Sequence, residues 1–383
     1  MKRNTDRILT THAGSLPRPD DLVRMMWDRM DGKPVDESAL RDRVHRAVVE
    51  SVEKQDAAGI DIISDGEMSK VGFSNYVAQR YTGFGAFTEP AEFHALDLAD
   101  APGVAQAIFG SSAGQHVMLP QMIGPIELRD RGAVQADIDN FKAALGGRDP
   151  DSAFICAVTP GQVVFNFPNH YYKTFEQHLE AVSNALSTEY KMITDAGFNL
   201  QLDSPDLAMN GHCFTHGPGP VDLEKHLPAV IEALNHATRG IAPEKMRLHL
   251  CWGNYAGPHH RDVELKDIIK PVLKTTAMYI YPEAANPRHE HEWEVWKEIG
   301  LPDGKALIPG VIDSVTNHVE HPRLVAQRIE RFADIVGKEN VIAGTDCGFG
   351  TFVGWSGCDP AVAWLKLDAL AQGARMASEH LWK

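Results

Sequence analysis

Four residues of the sequence are of the types that bind a metal ion through sulfur, nitrogen and oxygen. His249 and Cys251 flank one leucine in the run HLC, and Glu283 and Cys347 each lie at the end of a later apolar run. Residues two apart on a β-strand point to the same face, so His249 and Cys251 can hold one ion. Two thiolates, one imidazole and one carboxylate form a soft, nearly tetrahedral donor set that favours zinc. The sequence therefore predicts one zinc ion per chain.

A zinc ion held by two thiolates favours activation of a thiol over activation of water. It keeps little positive charge with which to generate hydroxide. An incoming thiol, with an ordinary pKa of about 8.5, loses its proton on binding and stays nucleophilic. Attack of that thiolate on an electrophilic carbon is S-alkylation. We therefore expect a small thiol and a carbon electrophile as partners. The HEH run at 289–291 follows in a charged segment and is expected at the solvent-exposed surface.

A repeated βα pattern indicates how these residues are positioned. Short apolar or β-branched runs that end in Gly, Asp, Glu, Cys or His alternate with longer segments of helical period. The predicted strands span 7–15, 60–67, 154–160, 199–206, 247–252, 277–283, 307–313 and 340–347. Helices are predicted over 40–58, 175–196, 324–336 and 361–381. Eight such strands predict an α/β protein with a single (β/α)8 TIM-type barrel.

In such a barrel the loops after the strands converge on one mouth, so polar residues at strand ends are expected to share a site. A ninth apolar run, 116–126, is interrupted by Gly and Pro and predicts an insertion between strands 2 and 3. No linker divides the chain, and residues 1–383 are therefore expected to form one zinc-dependent catalytic domain.

The composition excludes several classes of function. With 43% hydrophobic and 23% charged residues in 383, the sequence is typical of a folded globular protein. The net charge of -15 repels phosphate backbones and anionic membranes, so neither nucleic acid nor a membrane is an expected partner. No apolar stretch approaches about 18 residues, and the N-terminal segment lacks a signal-peptide core, which predicts a cytoplasmic protein. Five widely spaced cysteines do not suggest a disulfide framework.

Seven motifs occur in an order that resembles cobalamin-independent methionine synthase and its shorter relatives, including epoxyalkane:coenzyme M transferase. They are THAGSLPRP (11–19), SDGE (64–67), LQLDSPD (200–206), HLC (249–251), YPEAANPRHEHE (281–292), GVID (310–313) and GTDCGFG (344–350). The resemblance covers most of the chain. It implies that the zinc ligands are His249, Cys251, Glu283 and Cys347. It also implies that Ser15, Glu67 and Asp203 position the amino acid part of homocysteine.

One departure from that family concerns the alkyl donor. Folate-dependent members carry a histidine two residues beyond the aspartate that corresponds to Asp313, and here Val315 occupies that place. Val315 cannot supply a proton to a departing amine, so His12 and His318 are the candidate acids, with Asp313 beside them as a catalytic residue. The pattern TN.VE.P after Asp313 matches the short relatives and marks Asn317 as substrate-binding. We therefore expect transfer of an epoxyalkane:coenzyme M type.

Two alternatives use the same zinc site. The first is methionine synthase, with methyltetrahydrofolate or another methyl donor and homocysteine as acceptor. The second is a barrel without turnover that binds zinc or a thiol ligand. A metal-free decarboxylase of the same fold is disfavoured, because its tetracarboxylate substrates require arginines at the mouth and no predicted strand ends in arginine. The sequence leaves homo-oligomer formation open.

Overall fold

The computed structural model describes residues 1, 3–85, 93–111, 114, 116–117, 119–217 and 219–383. The strands are β1 (Ile63–Ser64), β2 (His94–Ala95), β3 (Ala153–Val158), β4 (Asn199–Asp203), β5 (Cys213–Phe214), β6 (Met246–His249), β7 (Tyr279–Tyr281), β8 (Ala306–Leu307), β9 (Gly310–Ile312) and β10 (Gly344–Thr345). The α-helices are α1 (Asp20–Met30), α2 (Glu37–Ala57), α3 (Val77–Arg80), α4 (Leu96–Ala99), α5 (Pro102–Phe109), α6 (Arg131–Ala144), α7 (Pro160–Asn166), α8 (Phe175–Asp195), α9 (Leu223–Ala237), α10 (Leu265–Val272), α11 (Val295–Ile299), α12 (Pro322–Val336) and α13 (Pro360–Leu381).

The main sheet is parallel and has six strands in the order β1-β3-β4-β6-β7-β8. A parallel pair, β9 with β10, and an antiparallel pair, β2 with β5, stand beside it. Isolated parallel bridges join Thr11 to Ile62, Thr10 to Ala343 and Leu307 to Val341. The protein is thus a mixed α/β fold built on a parallel sheet, which confirms the predicted fold class at that level.

The long helices lead directly into the strands because their ends are defined by capping residues. The side chain of Asp36 accepts hydrogen bonds from the first turn of α2, and Thr174 does the same for α8. After each helix, Gly59 and Gly197 adopt positive φ angles of 79° and 99°. This left-handed conformation, which glycine adopts without strain, turns the chain into the next strand.

The interior beneath the site contains a charged side chain that the sequence pattern did not indicate. Arg247, on β6, is fully buried between the rings of Phe154 and Tyr281, at 4.0 and 5.0 Å. Its guanidinium donates to Thr11 Oγ1 at 2.8 Å and to the His12 carbonyl at 2.7 Å. These bonds connect the N-terminal segment to the middle of the sheet. Arg247 lies two residues before the predicted histidine ligand.

The structure differs from the sequence predictions in detail. Residues 7–15 form bridges at Thr10 and Thr11 rather than a strand, and 307–313 divides into β8 and β9 around Pro309, which has no N–H to donate. The run 116–126 falls partly outside the described residues, and an insertion there stays a prediction. None of the helices in the described ranges has the length and apolar composition needed to cross a bilayer.

Candidate active site

Three of the four predicted metal ligands meet in one group. His249 ends β6, Cys251 follows two residues later, and Cys347 follows β10. One ligand atom from each lies within 4.8 Å of the others. The Sγ atoms of Cys251 and Cys347 are 3.7 Å apart, and the backbone N–H of Gly253 donates to Cys251 Sγ at 3.2 Å. We call His249, Cys251 and Cys347 the metal group.

The metal group fits a zinc ion on three observations. His249 is 3% exposed, yet neither of its ring nitrogens has a hydrogen-bond partner. Burial, together with the charge of Arg247, lowers the pKa of His249 to about 3, so the imidazole is neutral and free to coordinate. Two Zn–S bonds of about 2.3 Å at a tetrahedral angle place their sulfurs about 3.8 Å apart. The observed separation of 3.7 Å matches that value.

Glu283, predicted as the fourth ligand, lies beside the metal group without being part of it. Its Oε1 accepts from the backbone N–H of Trp252 at 3.2 Å, and its Oε2 accepts from Asn286 Nδ2 at 2.8 Å. Burial and then the nearby Cys251 raise the pKa of the Glu283 carboxyl. The carboxylate is held next to the thiols, and its coordination to a metal stays a prediction.

Asp346 fixes the two strand ends relative to each other. Its Oδ1 accepts from the backbone N–H groups of Ala284 and Ala285, both at 2.8 Å, and its Oδ2 accepts from that of Asn286 at 2.7 Å. The loop after β7 is therefore tied to the residue that precedes Cys347. Asp346 is buried and positions the two candidate ligands Glu283 and Cys347 relative to each other.

Two carboxylates and the thiol of Cys156 form a second cluster. Ligand-type atoms of Glu67, Cys156 and Asp203 lie within 4.8 Å of one another, and all three residues are buried. Asp203 Oδ1 accepts from Gln201 Nε2 at 2.7 Å, whereas Glu67 Oε2 has no hydrogen-bond partner. Burial, then the charge of Glu67, raises the pKa of Asp203. Two buried carboxylates at this distance favour a cation between them.

The motifs around Glu67 bring the backbone into unusual conformations. Glu67 itself has a φ of 56°, a strained value for a residue with a side chain, and its N–H donates to Asp65 Oδ1 at 3.0 Å. Opposite it, Gly14 has a φ of 112°, and a Cβ there would lie 2.2 Å from Cys156 Sγ. Only glycine therefore lets the THAGS segment approach the carboxylate pair.

Both clusters contribute residues to the wall of one cavity. Its wall includes the metal group, Glu67, Asp203 and Ser15. Ser15 Oγ accepts from the backbone N–H of Gly350 at 3.4 Å. The rest of the wall includes six aromatic side chains that the sequence analysis did not single out: Phe73, Phe93, Phe109, Tyr255, Phe352 and Trp355. Their sequence positions are scattered, and no local pattern marks them as a set.

The predicted acid His12 does not lie in that cavity wall. It is fully buried, its Nε2 is 2.7 Å from Gln55 Oε1, and its Nδ1 accepts from the backbone N–H of Gly14 at 3.1 Å. Burial lowers the pKa of His12 to about 3, so the ring is neutral. With both nitrogens occupied, it supports the backbone of the THAGS segment.

The residues predicted after β9 also lie apart from the metal group. The carboxylate of Asp313 accepts from the backbone N–H groups of Val315 and Thr316, at 3.1 and 3.0 Å. His318 and Asn317 are exposed, and Asn317 Oδ1 accepts from the backbone N–H of Asp359 at 2.8 Å. These contacts are structural, so catalytic or binding roles for the three residues stay predictions that the geometry does not support.

The HEH run contains a buried residue, contrary to the expectation of a solvent-exposed segment. His289 is 2% exposed, with Nε2 2.9 Å from Asp262 Oδ2 and Nδ1 2.7 Å from Glu292 Oε2. Asp262 also contacts His212 and His259, at 3.0 and 2.9 Å. His289 thus pairs with Asp262 and Glu292 inside the fold, whereas His291 is exposed as expected, and local composition did not reveal the partners of His289.

The sequence resembles known proteins along most of its length. No protein-family profile matches the chain. Proteins named methionine synthase from Saccharolobus solfataricus and Thermococcus kodakarensis are each 24% identical over 375 residues, which cover 97% of this chain and 95% and 94% of theirs. The chain is thus similar over nearly its whole length to proteins named methionine synthase. The resemblance stated from the motifs is thereby confirmed, as is the prediction of a transferase.

Two solved structures are similar to this chain at the level of fold. A B12-independent methionine synthase from Shewanella sp. W3-18-1, in complex with selenomethionine, matches with a TM-score of 0.73 and 20% identity over 98% of this chain and 99% of that one. A second, from Listeria monocytogenes and described as a vitamin-B12 independent methionine synthase, gives 0.67 at 16% identity over 99% of each chain.

Proposed function

We propose that this protein transfers a methyl group to the sulfur of homocysteine, with one zinc ion held by His249, Cys251 and Cys347 and with Glu283 as the exchangeable fourth ligand. A single observation carries the proposal. The metal group and the carboxylate pair Glu67 and Asp203 open into the same cavity. An aminothiol can bind there with its sulfur at the metal group and its ammonium at Glu67 and Asp203.

The cavity favours the methionine synthase alternative over the epoxyalkane:coenzyme M type. Coenzyme M is a sulfonate, and recognition of a sulfonate calls for lysine or arginine. Among the described residues that line the cavity, neither lysine nor arginine occurs, and Glu67 and Asp203 make the wall acidic. The relatives named methionine synthase support the same choice.

The chain's own residues would bind and orient the amino thiol. Glu67 and Asp203 receive the substrate ammonium, since Lys70 is buried nearby but donates to the backbone carbonyl of Cys156 and leaves Glu67 Oε2 unpaired. Ser15 has a hydroxyl proton to donate to the substrate carboxylate. Zinc bound at the metal group would lower the pKa of the substrate thiol. The aromatic wall excludes water from the reacting sulfur and methyl carbon.

We further propose that the strands form one (β/α)8 barrel over residues 1–383. The three isolated bridges support closure, because they connect the N-terminal segment to β1 on one side and to the β10 segment on the other, and β8 to that same segment. The metal group and the carboxylate pair then lie at the carboxyl ends of the strands, where catalytic residues of such barrels are found.

Zinc content and proton release test the proposed function together. Protein purified after growth with zinc should hold about one zinc per chain and release about one proton when homocysteine is added at neutral pH. The metal-free protein serves as the control and should release none. Methyl transfer is then measured as methionine formed from homocysteine and a panel of methyl donors. A zinc-loaded protein that neither releases a proton nor forms methionine would instead favour a binding protein without turnover.

A further inference from the structure

The aromatic side chains of the cavity form a continuous row. The neighbouring ring centroids are 6.0 Å apart for Tyr255 and Phe93, 5.5 Å for Phe93 and Phe109, 5.6 Å for Phe109 and Trp355, 6.3 Å for Trp355 and Phe352, and 5.7 Å for Phe352 and Phe73. All six line the cavity that holds the metal group. We call them the aromatic row.

The charge of the cavity wall favours a cation beside the aromatic row. Glu67 and Asp203 contribute carboxylates, and the described lining residues include no lysine or arginine. Aromatic faces attract cations electrostatically, and groups of aromatic rings recognise methylated ammonium ions in this way. An anionic donor such as a polyglutamate would meet the acidic wall without a counter-charge.

The described part of the wall also offers no free acid to a leaving group that needs a proton. The hydroxyl of Tyr255 already donates to Asp97 Oδ1 at 2.9 Å. His12 has both nitrogens occupied, His318 is exposed, and Val315 cannot donate. The carboxylates of the wall are assigned to the amine of the acceptor. A donor that leaves as a neutral molecule without protonation suits these surroundings.

We propose that the methyl donor is a methyl onium ion, a sulfonium or a quaternary ammonium, bound against the aromatic row. This inference rests on the proposed methyl transfer. The thiolate of the acceptor forms a bond to the methyl carbon while the C–S⁺ or C–N⁺ bond breaks. The electron pair of that bond stays on the departing atom, which becomes a neutral thioether or tertiary amine. No proton and no redox partner is required.

Binding of choline tests the inference without turnover. Choline is compared with its neutral isostere, 3,3-dimethylbutanol, by calorimetry in the presence of saturating homocysteine, which occupies Glu67 and Asp203. Wild-type protein should bind choline at least about fivefold more tightly than the isostere. Trp355→Leu and Phe352→Leu should each reduce that preference severalfold, and Trp355→Phe should retain most of it. Trp382→Leu, outside the cavity, is the matched control and should match wild type.

Equal affinity for choline and the isostere in wild-type protein would overturn the inference. So would an unchanged preference in both leucine variants, provided that each keeps its zinc and its homocysteine-dependent proton release as evidence of a folded site.

Turnover separates failure of this inference from failure of the proposed function. Zinc-loaded protein with homocysteine is given trimethylsulfonium, glycine betaine or methyltetrahydrofolate, and methionine is measured. Methionine from an onium probe, reduced in Trp355→Leu while proton release from homocysteine is unchanged, supports the inference. Methionine from methyltetrahydrofolate alone overturns the onium donor and leaves methyl transfer to homocysteine standing. Absence of proton release from homocysteine would overturn both.

Discussion

Polar residues at the end of β6 and in the loops after β6 and β10 are similar in type to those in the loop after β9. Their hydrogen-bond partners, however, differ. At the first two, His249 has ring nitrogens without partners, and the thiols of Cys251 and Cys347 face each other at 3.7 Å. At the third, both oxygens of Asp313 accept hydrogen bonds from Val315 and Thr316 in its own loop. All three loops follow strands of the same parallel type.

The position of a residue at a strand end therefore does not by itself assign its function. A buried polar atom that the fold leaves unsatisfied gains free energy from a ligand, and the ring nitrogens of His249 are in that state. Both carboxylate oxygens of Asp313 already accept hydrogen bonds from backbone N–H groups. Substitutions at the metal group and at Asp313 should therefore have different effects on zinc binding and on stability.

The largest effect is expected from removing a thiol of the metal group. Cys251→Ala and Cys347→Ala should each lose most of the zinc and reduce methyl transfer by more than about 100-fold, because too few ligands remain to hold the ion. Zinc is measured by elemental analysis, and circular dichroism reports whether the fold persists. Cys358→Ala is the matched control, since Cys358 is buried outside the cavity. Full zinc content in both metal-group variants would show that the strand-end thiols are not ligands.

A smaller effect is expected at the carboxylate pair. Glu67→Gln and Asp203→Asn should each raise KM for homocysteine about 10- to 100-fold, which corresponds to the loss of one charged hydrogen bond. Neither should change the affinity for 4-mercaptobutanoate, which has the thiol but lacks the amine. Asp206→Asn is the control, because Asp206 is buried near Asp203 but bonded to Thr159 and Ser204. Equal losses with both thiols would remove the amine-binding role.

A loss of stability rather than of function is expected at the satisfied strand end. Asp313→Ala should lower the free energy of unfolding by about 1 to 2 kcal/mol, because the N–H groups of Val315 and Thr316 lose their acceptor. Its zinc content and its KM for homocysteine should stay at the wild-type values. Urea unfolding gives the first quantity and kinetics the second. A stable variant with greatly reduced kcat would place Asp313 in catalysis.

The smallest effect is expected from His318→Ala. The side chain is exposed, and the contact of this residue with Lys366 is made through its backbone carbonyl, which the substitution keeps. Both kcat/KM and the unfolding midpoint should stay within about twofold and about 0.5 kcal/mol of wild type. A fall in kcat of tenfold or more, with zinc retained, would return His318 to the role of proton donor.

Much of the local structure, and the grouping of the candidate sulfur ligands, could be predicted from the sequence. The helical periods over 40–58 and 175–196 correspond to α2 and α8, because each has a buried stripe and a capped start that are written in consecutive residues. His249 and Cys251 were predictable as a pair for a similar reason. Two residues apart on a strand, they share a face whatever the rest of the chain does. Cys347 was predicted from its place at the end of a later apolar run, and the ordered motifs agreed with that prediction.

The hydrogen-bond partners and burial of the remaining polar residues became visible only in the tertiary structure. Glu67 and Asp203 are far apart in sequence. They meet because Glu67 follows β1 and Asp203 ends β4, and both strands belong to one sheet. His12 and Asp313 looked equally suitable in sequence, but Gln55 and the loop after β9 occupy their polar atoms. The aromatic row likewise joins loops distant in sequence. Long-range packing sets burial and hydrogen-bond partners, and no local period encodes either, so these assignments required the assembled fold.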